Sequence, residues 1–343
     1  LDNHAAPLYA ACSYPAEFQR SYGMYLKEVS ARQQYDLYDG RQRVLRLRLG
    51  GLESDDAVLA SLLDGSNQVG FAAAEEVMLA ATAGKGTRII APLQYRGDML
   101  LVSDSVPARD WAEFAGWIKQ QGPPVRVGFV GDEPTALHCL DQALEYEAVS
   151  RTRDASDTVA LVLLVRAGTW EELAQGLRDG QLDAAALRQP EATFVSRAGG
   201  ARILTEIDDL PPNRFENRPG TVVAATDSAI RTRGEEIGRF LELMGLATHY
   251  SNNHTRSTLA ATAKWLGSSP RAESTAMVGV AFSSMPNLAF RDGLWNWYFA
   301  LKLKGVLPDS LGDFMERDQW LPIPYDSSLV VPALDRAGAR FIK

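Results

Sequence analysis

The residues of this chain that could do chemistry gather at helix starts that follow short apolar runs. Asn3-His4 opens the first helical stretch, and Phe71-Ala72-Ala73-Ala74-Glu75 follows a buried strand pattern. Gln94 and Tyr95 follow Pro92, Gly131-Asp132-Glu133-Pro134-Thr135 precedes a helix, and Arg188-Gln189-Pro190-Glu191 precedes another. In open α/β sheets, ligands sit beyond the carboxyl ends of strands, where free backbone N–H groups favour polar or anionic atoms. Each group also has a plainer reading. Asn3 is a good N-cap and His4 a surface imidazole. The three alanines either admit a ligand to the backbone or pack helix on sheet, and Glu75 suits a helix first turn without any ligand. Asp132 reads as an N-cap, Pro134 suits N1, Thr135 offers a hydroxyl, and His138, one turn on, reads as structural. Arg188 either grips a ligand anion through two N–H bonds or pairs with Glu191. Tyr95 offers a ring face and a hydroxyl.

Catalytic constellations are missing from the pattern. The four histidines, His4, His138, His249 and His254, stand in no motif beside Ser or Cys, and G-x-S-x-G, H-E-x-x-H and the P-loop are absent. His249 and His254, in ATHYSNNHT, are not spaced for one helix face and read as a surface loop. Cys12 and Cys139 have no metal spacing and read as buried small hydrophobes without a disulfide. The expectation is a chain that is not an enzyme and holds no metal or cofactor.

The elements that must position these groups alternate. Asn3 to Ala11 reads as a helix, with Pro7 in its first turn, and Glu17 to Val29 as another. Val44–Leu49 alternates apolar and basic residues, a half-buried strand. Ser54-Asp55-Asp56 caps a helix over Ala57–Leu63. Leu62–Ala81, LLDGSNQVGFAAAEEVMLAA, gives a turn at Asp64-Gly65, a buried strand and a helix. Leu177–Phe194, LRDGQLDAAALRQPEATF, repeats that plan. Further strands are expected at Arg88–Pro92, Met99–Ser103, Val125–Val130, Val159–Val165, Ala201–Glu206 and Thr221–Ala225, with helices between most of them. Beyond Ala225 the chain is mostly helical, with a core stripe of Ile237, Phe240, Leu241, Met244 and Ala247. Strand–helix alternation in both halves argues for parallel or mixed sheets with helices on both faces.

At 343 residues the chain is long for one domain and comfortable for two. Hydrophobic residues make up 46% and charged residues 23%, ordinary globular usage. The net charge is -8 and no Lys/Arg cluster breaks the acidic balance, which speaks against nucleic acid as a partner, and no apolar run is long enough to span a membrane. The chain begins Leu1-Asp2 rather than Met, so processing or trimming, with any targeting segment out of view, is expected.

The order and spacing of NHAAPLYAA, LLDGSNQVGFAAAEEVMLAA, PLQYRGDMLLVSD, VRVGFVGDEPTALHCLDQAL and LRDGQLDAAALRQPEATF resemble the periplasmic solute-binding proteins of ABC importers in the nitrate/sulfonate/taurine and thiamine-pyrimidine-precursor family. The chain departs from that pattern twice. The family's first strand would lie before Leu1, and Gln189 stands where many members carry a carboxylate before proline.

The resemblance implies a two-lobed periplasmic-binding-protein-like (type II) α/β fold. Each lobe would be a mixed sheet flanked by helices, the lobes joined by two crossing segments near Leu100–Asp104 and Thr221–Thr226. Lobe one is expected over residues 1–102 and 222–343, lobe two over 103–221. A small polar solute would be held between them by Asn3, His4, Phe71, Ala73, Glu75, Gln94, Tyr95, Thr135, Arg188, Gln189 and Glu191. An ABC permease would be the partner, the chain a monomer, its place periplasmic or tethered outside the membrane. Glu75, Glu133 and Glu191 disfavour a bare anion such as nitrate, which leaves a zwitterion, a sulfonate or a heterocycle. A ligand-sensing domain of a signalling protein is an alternative on the same fold. A thiamine-pyrimidine-synthase-like enzyme is another, with Lys85 and Lys264 the lysines to test for pyridoxal phosphate. The isolated Cys12 and Cys139 do not match that enzyme's cysteine-rich motif.

Overall fold

The structure, a computed structural model, describes residues 3–52, 54–131, 135–212, 217–308, 311 and 315–341, with the side chain of Thr135 outside that description. Asp132, Glu133 and Pro134 lie outside the described residues. The chain divides into two compact units, Leu1–Tyr95 with Arg218–Glu273 and Ala281–Lys343, and Arg96–Asn217 with Ser274–Val280. The first boundary falls ahead of the expected Val102, because the strand Asp98–Ser103 pairs on both edges within the second unit. Ser274–Val280 also belongs to the second unit, an excursion the sequence reading did not expect. Gly279 there has φ +80° and lies so close to the Glu206 carboxylate that an added Cβ would stand 2.3 Å from Oε1.

In the first unit, the strand Thr221–Thr226 runs between Gly70–Ala73 and Thr87–Pro92, antiparallel to both. A second sheet is a meander of Met24–Ser30, Gln34–Asp39 and Gln42–Arg48. The expected helix over Glu17–Val29 is thereby corrected. A helix covers only Pro15–Tyr22 and ends where Gly23 takes φ 69°. From Met24 the residues alternate, with Met24 and Leu26 buried and Lys27 exposed, as a sheet with one wet face demands. The core joins both sheets to the helix Asp227–Asn253. Leu26, Leu37, Ile90 and Val223 meet Ile237, Phe240, Leu241, Met244 and Ala247, all five stripe residues read from the sequence. Glu242, on the same helix and fully buried, is held by Arg239, Arg336 (2.9 Å) and Arg340 (2.7 Å), which ties the C-terminal helix Val330–Gly338 and the turn after it to the unit.

The second unit is a mixed six-stranded sheet in the order Ala201–Glu206, Asp98–Ser103, Ala184–Arg188, Val125–Val130, Val162–Ala167, Arg151–Thr152. Asp98–Ser103 is antiparallel to both neighbours, and the other pairs are parallel. Leu101, Ala185 and Leu187 pack against Leu173 and Leu177 of the helix Trp170–Arg178 and against Ala192 and Val195 of the helix Glu191–Ala198. Gly128 permits this contact: a Cβ there would stand 2.5 Å from Leu173 Cδ2 and 2.7 Å from Leu182 Cδ1. Arg96 (φ 66°) and Gly97 (φ 101°) open the unit, and Arg96 pairs with Glu206 at 2.7 Å and with Asp209. Burial raises the Glu206 carboxyl above its ordinary pKa, opposed by the Arg96 charge.

Cys12 and Cys139 are both buried and are not joined in a disulfide. Among the described residues, no helix is long and apolar enough to cross a membrane. His249 lies within the helix Asp227–Asn253 and His254 caps its end, so the expected surface loop is corrected to a helix terminus. Among the described residues, no group of three or more His, Cys, Asp or Glu could hold a metal ion.

Candidate functional site

Each unit gathers polar side chains at the carboxyl ends of its strands. In the first unit, Gly70–Ala73 and Thr87–Pro92 end beside the start of the antiparallel Thr221–Thr226, with Ala73 opposite Thr221 and Pro92 opposite Val222. Short side chains let the chain close up there. The Ala74 N–H donates to the Gly220 carbonyl (2.8 Å), and an added Cβ on Gly220 would stand 2.6 Å from Gln94 Oε1. Gln94 is 1% exposed, and both ends of its amide hold backbone. Its Oε1 accepts from the Thr221 N–H (3.0 Å), and its Nε2 donates to the Tyr95 carbonyl (2.9 Å). Its expected place in the wall is thus a clamp that fixes where Thr221 sits. Thr221 Oγ1 in turn lies 3.0 Å from His4 Nδ1, and this bond orients the imidazole.

Asn3 and His4 are buried, not surface residues. Asn3–Ala5 is a 3-10 turn leading into the helix Ala6–Ser13, whose N-terminus has no side-chain cap. The expected capping role of Asn3 is therefore corrected. Its side chain is 0% exposed, and neither Oδ1 nor Nδ2 finds a partner among the described residues. A buried amide without partners costs about 1–3 kcal/mol per group, so such an amide points to a role beyond folding. Glu75, 4% exposed, sits in the first turn of the helix Ala74–Thr82. Phe71 is half-buried, packs on the core and stacks on Phe240 at 6.3 Å. Tyr95 pairs with Ala281 across a two-residue ladder and meets Phe290 edge-on at 6.4 Å, and burial raises its phenol above the ordinary range.

In the second unit, Ala184–Arg188 and Val125–Val130 run parallel and end on the same side, and the start of the antiparallel Asp98–Ser103 joins them. Arg188 pairs with Asp98, its cross-strand partner, at 3.5 Å. Asp98 is 3% exposed, so the carboxylate of this pair is largely taken from water. Gln189, 1% exposed, accepts from the Thr193 hydroxyl (2.8 Å) and N–H (3.3 Å), which locks it against the helix Glu191–Ala198. Glu191 stands in that helix's first turn. Thr135 opens the helix Thr135–Tyr146, and His138 on it is buried.

The structure thus brings Asn3, His4, Ala73, Glu75 and Gln94 to one end of the first unit's sheet, and Arg188, Gln189 and Glu191 to one end of the second unit's. Phe71 and Tyr95 are engaged in packing beside the first group. The sequence reading missed Thr221 and Asp98. A small-residue approach, Pro219-Gly220-Thr221, announces the first, and a lone acid at a strand start, Gly97-Asp98-Met99, the second. Elsewhere on the first unit a groove of about 630 Å³ is lined by Asp39, Gln42, Arg239, Leu329 and Arg336. Its guanidinium groups are engaged by Asp39 and Glu242.

No family model matches the chain, nor does any curated protein. Solved structures do. The ligand-binding component of an ABC-type import system from Staphylococcus aureus, with zinc bound, superposes with a TM-score of 0.69 at 11% identity, covering 97% of this chain and 96% of that one. The alkanesulfonate-binding protein SsuA from Xanthomonas axonopodis pv. citri, bound to MOPS, gives 0.59 at 14% identity over 97% and 95%. The periplasmic nitrate-binding protein NrtA from Synechocystis PCC 6803 gives 0.63 at 12% identity over 97% and 86%. The class the architecture defines is the periplasmic-binding-protein fold, a mixed α/β structure with sheets flanked by helices. At these identities the likeness speaks to fold.

Proposed function

We propose that the chain is the extracytoplasmic substrate-binding component of an ABC importer, not an enzyme, and that it carries one small polar organic solute to a membrane permease. The two strand-end clusters act as half-sites, Asn3, His4, Ala73 and Glu75 from one unit and Arg188 and Glu191 from the other, with Thr135 a further contact. The units close on the solute because it gains both sets of contacts only when they engage together. Gln94, Thr221, Asp98 and Thr193 hold those contacts in place. The observation that carries the reading is Asn3, a fully buried amide whose donor and acceptor both lack a partner among the described residues. Its pairing with a bound solute would satisfy both ends. Such an amide favours a solute with a donor and an acceptor side by side over a bare oxyanion, which can only accept. The buried Glu75 at the same end of the sheet adds to that preference.

Calorimetric titration of the purified chain against sulfonates, nitrate, pyrimidines and amino acids tests this. A solute from the zwitterion or heterocycle classes should bind with heat and raise the melting temperature, and the Asn3→Leu variant should lose most of that affinity. No heat and no melting shift across the whole panel would remove the reading's support.

A further inference from the structure

The meander of Met24–Ser30, Gln34–Asp39 and Gln42–Arg48 turns one face to the core and the other to solvent. Its inner face carries Met24, Leu26, Tyr35 and Leu37, all buried, with Leu45 and Leu47 packed against them. By alternation its outer face carries Tyr25 and Lys27, then Gln34, Asp36 and Tyr38, then Arg43, Arg46 and Arg48. Four cations thus stand on this face against one carboxylate. Arg46 binds Asp36 with two bonds (2.8 and 3.0 Å), and Arg43 approaches it at 3.9 Å. The Arg46 hydrogen bond, with the charges of Arg46, Arg43 and Lys27, holds the Asp36 carboxyl below the ordinary aspartate range. Lys27 and Arg48 are exposed, and neither forms an ion pair among the described residues. Arg41, in the turn between the last two strands, adds an exposed cation at the rim. Glu28 is on the opposite side of its strand, opposite Tyr35, and Asp39 is engaged by Arg239 and Arg340. In a chain of net charge -8, this face is locally and strongly positive.

We propose that this outer face docks the chain on an anionic phospholipid surface. The cations are spread over three strands, roughly 10 Å from the first to the third. An array of that kind fits a carpet of headgroup charges better than a single anion. Screening over about 8 Å at physiological salt lets the face act against the chain's overall negative charge. Tyr25 and Tyr38, stacked on each other at 5.3 Å and 12°, give the face an amphipathic centre of the type that sits at headgroup level. That same stacking hides one face of each ring, which makes the pair a poor platform for nucleic-acid bases. The site lies wholly in the first unit and does not depend on which solute the chain carries.

Co-sedimentation of the full chain with phosphatidylglycerol-rich vesicles and with pure phosphatidylcholine vesicles, at low and high salt, tests the proposal. Binding should be confined to the phosphatidylglycerol vesicles and should fall as salt rises. Each cation removed should lower the partition about fivefold, so Lys27→Gln, Arg43→Gln and Arg48→Gln together should lower it on the order of a hundredfold. The control with Arg109→Gln, Arg231→Gln and Arg256→Gln changes net charge equally and should bind as the parent does. If the triple variant loses its near-ultraviolet circular dichroism, Lys27→Gln and Arg48→Gln singly decide the matter through their fivefold steps. The proposal is overturned by no vesicle binding, by equal binding to both lipids, by a loss in the control as large as in the triple variant, or by an oligonucleotide that binds this face more tightly than the vesicles do.

Discussion

Asn3→Leu is the substitution that separates a binding amide from a structural one. The side chain is 0% exposed, and Oδ1 and Nδ2 both lack partners among the described residues. Leucine shares asparagine's branched skeleton, is bulkier, and carries no polar atoms to satisfy. If the amide serves a solute, its replacement relieves the solute-free protein of about 1–3 kcal/mol of unsatisfied polarity. For a unit of this size each kcal/mol moves the melting temperature by about 2–4 °C, so a rise of about 2–12 °C is expected. The same substitution deletes two hydrogen bonds from the complex, each worth about 1 kcal/mol net and more where a solute group is left unpaired. Affinity should then fall about 10- to 100-fold. Differential scanning calorimetry of the solute-free protein gives the first quantity and isothermal titration the second. The signs must oppose each other. A variant that melts lower and binds solute as tightly as the parent would show that Asn3 supports the fold, and the reasoning would fail. Asn3→Asp, which keeps the shape and an acceptor but removes the donor, should keep neither the stability gain nor the full affinity.

Two further outcomes follow from packing and charge. Gly128→Ala places a Cβ 2.5 Å from Leu173 and 2.7 Å from Leu182, so overpacking should destabilise the second unit by about 1–3 kcal/mol, read as a lower urea midpoint at unchanged slope. Asp39 is held below the ordinary aspartate range, first by the Arg340 hydrogen bond and then, against a burial cost, by Arg239. Because its folded pKa is depressed, the native state holds fewer protons than the unfolded state as the carboxyl titrates. Its contribution is present above about pH 4, the unfolded aspartate value, and is lost as pH falls through the folded value. Urea unfolding at stepped pH should therefore show a stability loss on acidification that is smaller in Asp39→Asn, and an identical slope in both proteins would refute the assignment.

Much of the architecture was legible because local rules governed it. Ser54 accepts from the Ala57 N–H, as the Ser-Asp-Asp sequence foretold, and Ala201–Glu206 is a strand over the expected residues. The core stripe on the Asp227–Asn253 helix follows from helical periodicity alone. Glu17–Val29 misled because Phe18, Tyr22, Tyr25 and Val29 fit a helical spacing as well as the alternation that begins at Met24. Only the pairing of Met24–Ser30 with Gln34–Asp39 decides between them.

What the sequence determined by itself was the kind of chain: alternating strands and helices, polar residues collected at helix starts, and a net negative charge that hides one positive strand. What the tertiary structure decided was which of those residues stand together. Arg188 pairs with Asp98, far from it in the chain, because antiparallel register sets those two side by side. Asn3 looked like a cap and became a buried amide with no partner among the described residues, because it sits in a 3-10 turn ahead of the helix, whose N-cap is Ala5. Capping, turns and periodicity depend on neighbours within a few positions, and a sequence states these directly. Pairing across strands depends on register, and burial on what the rest of the chain lays on top. Those are properties of the assembled sheet rather than of any stretch within it.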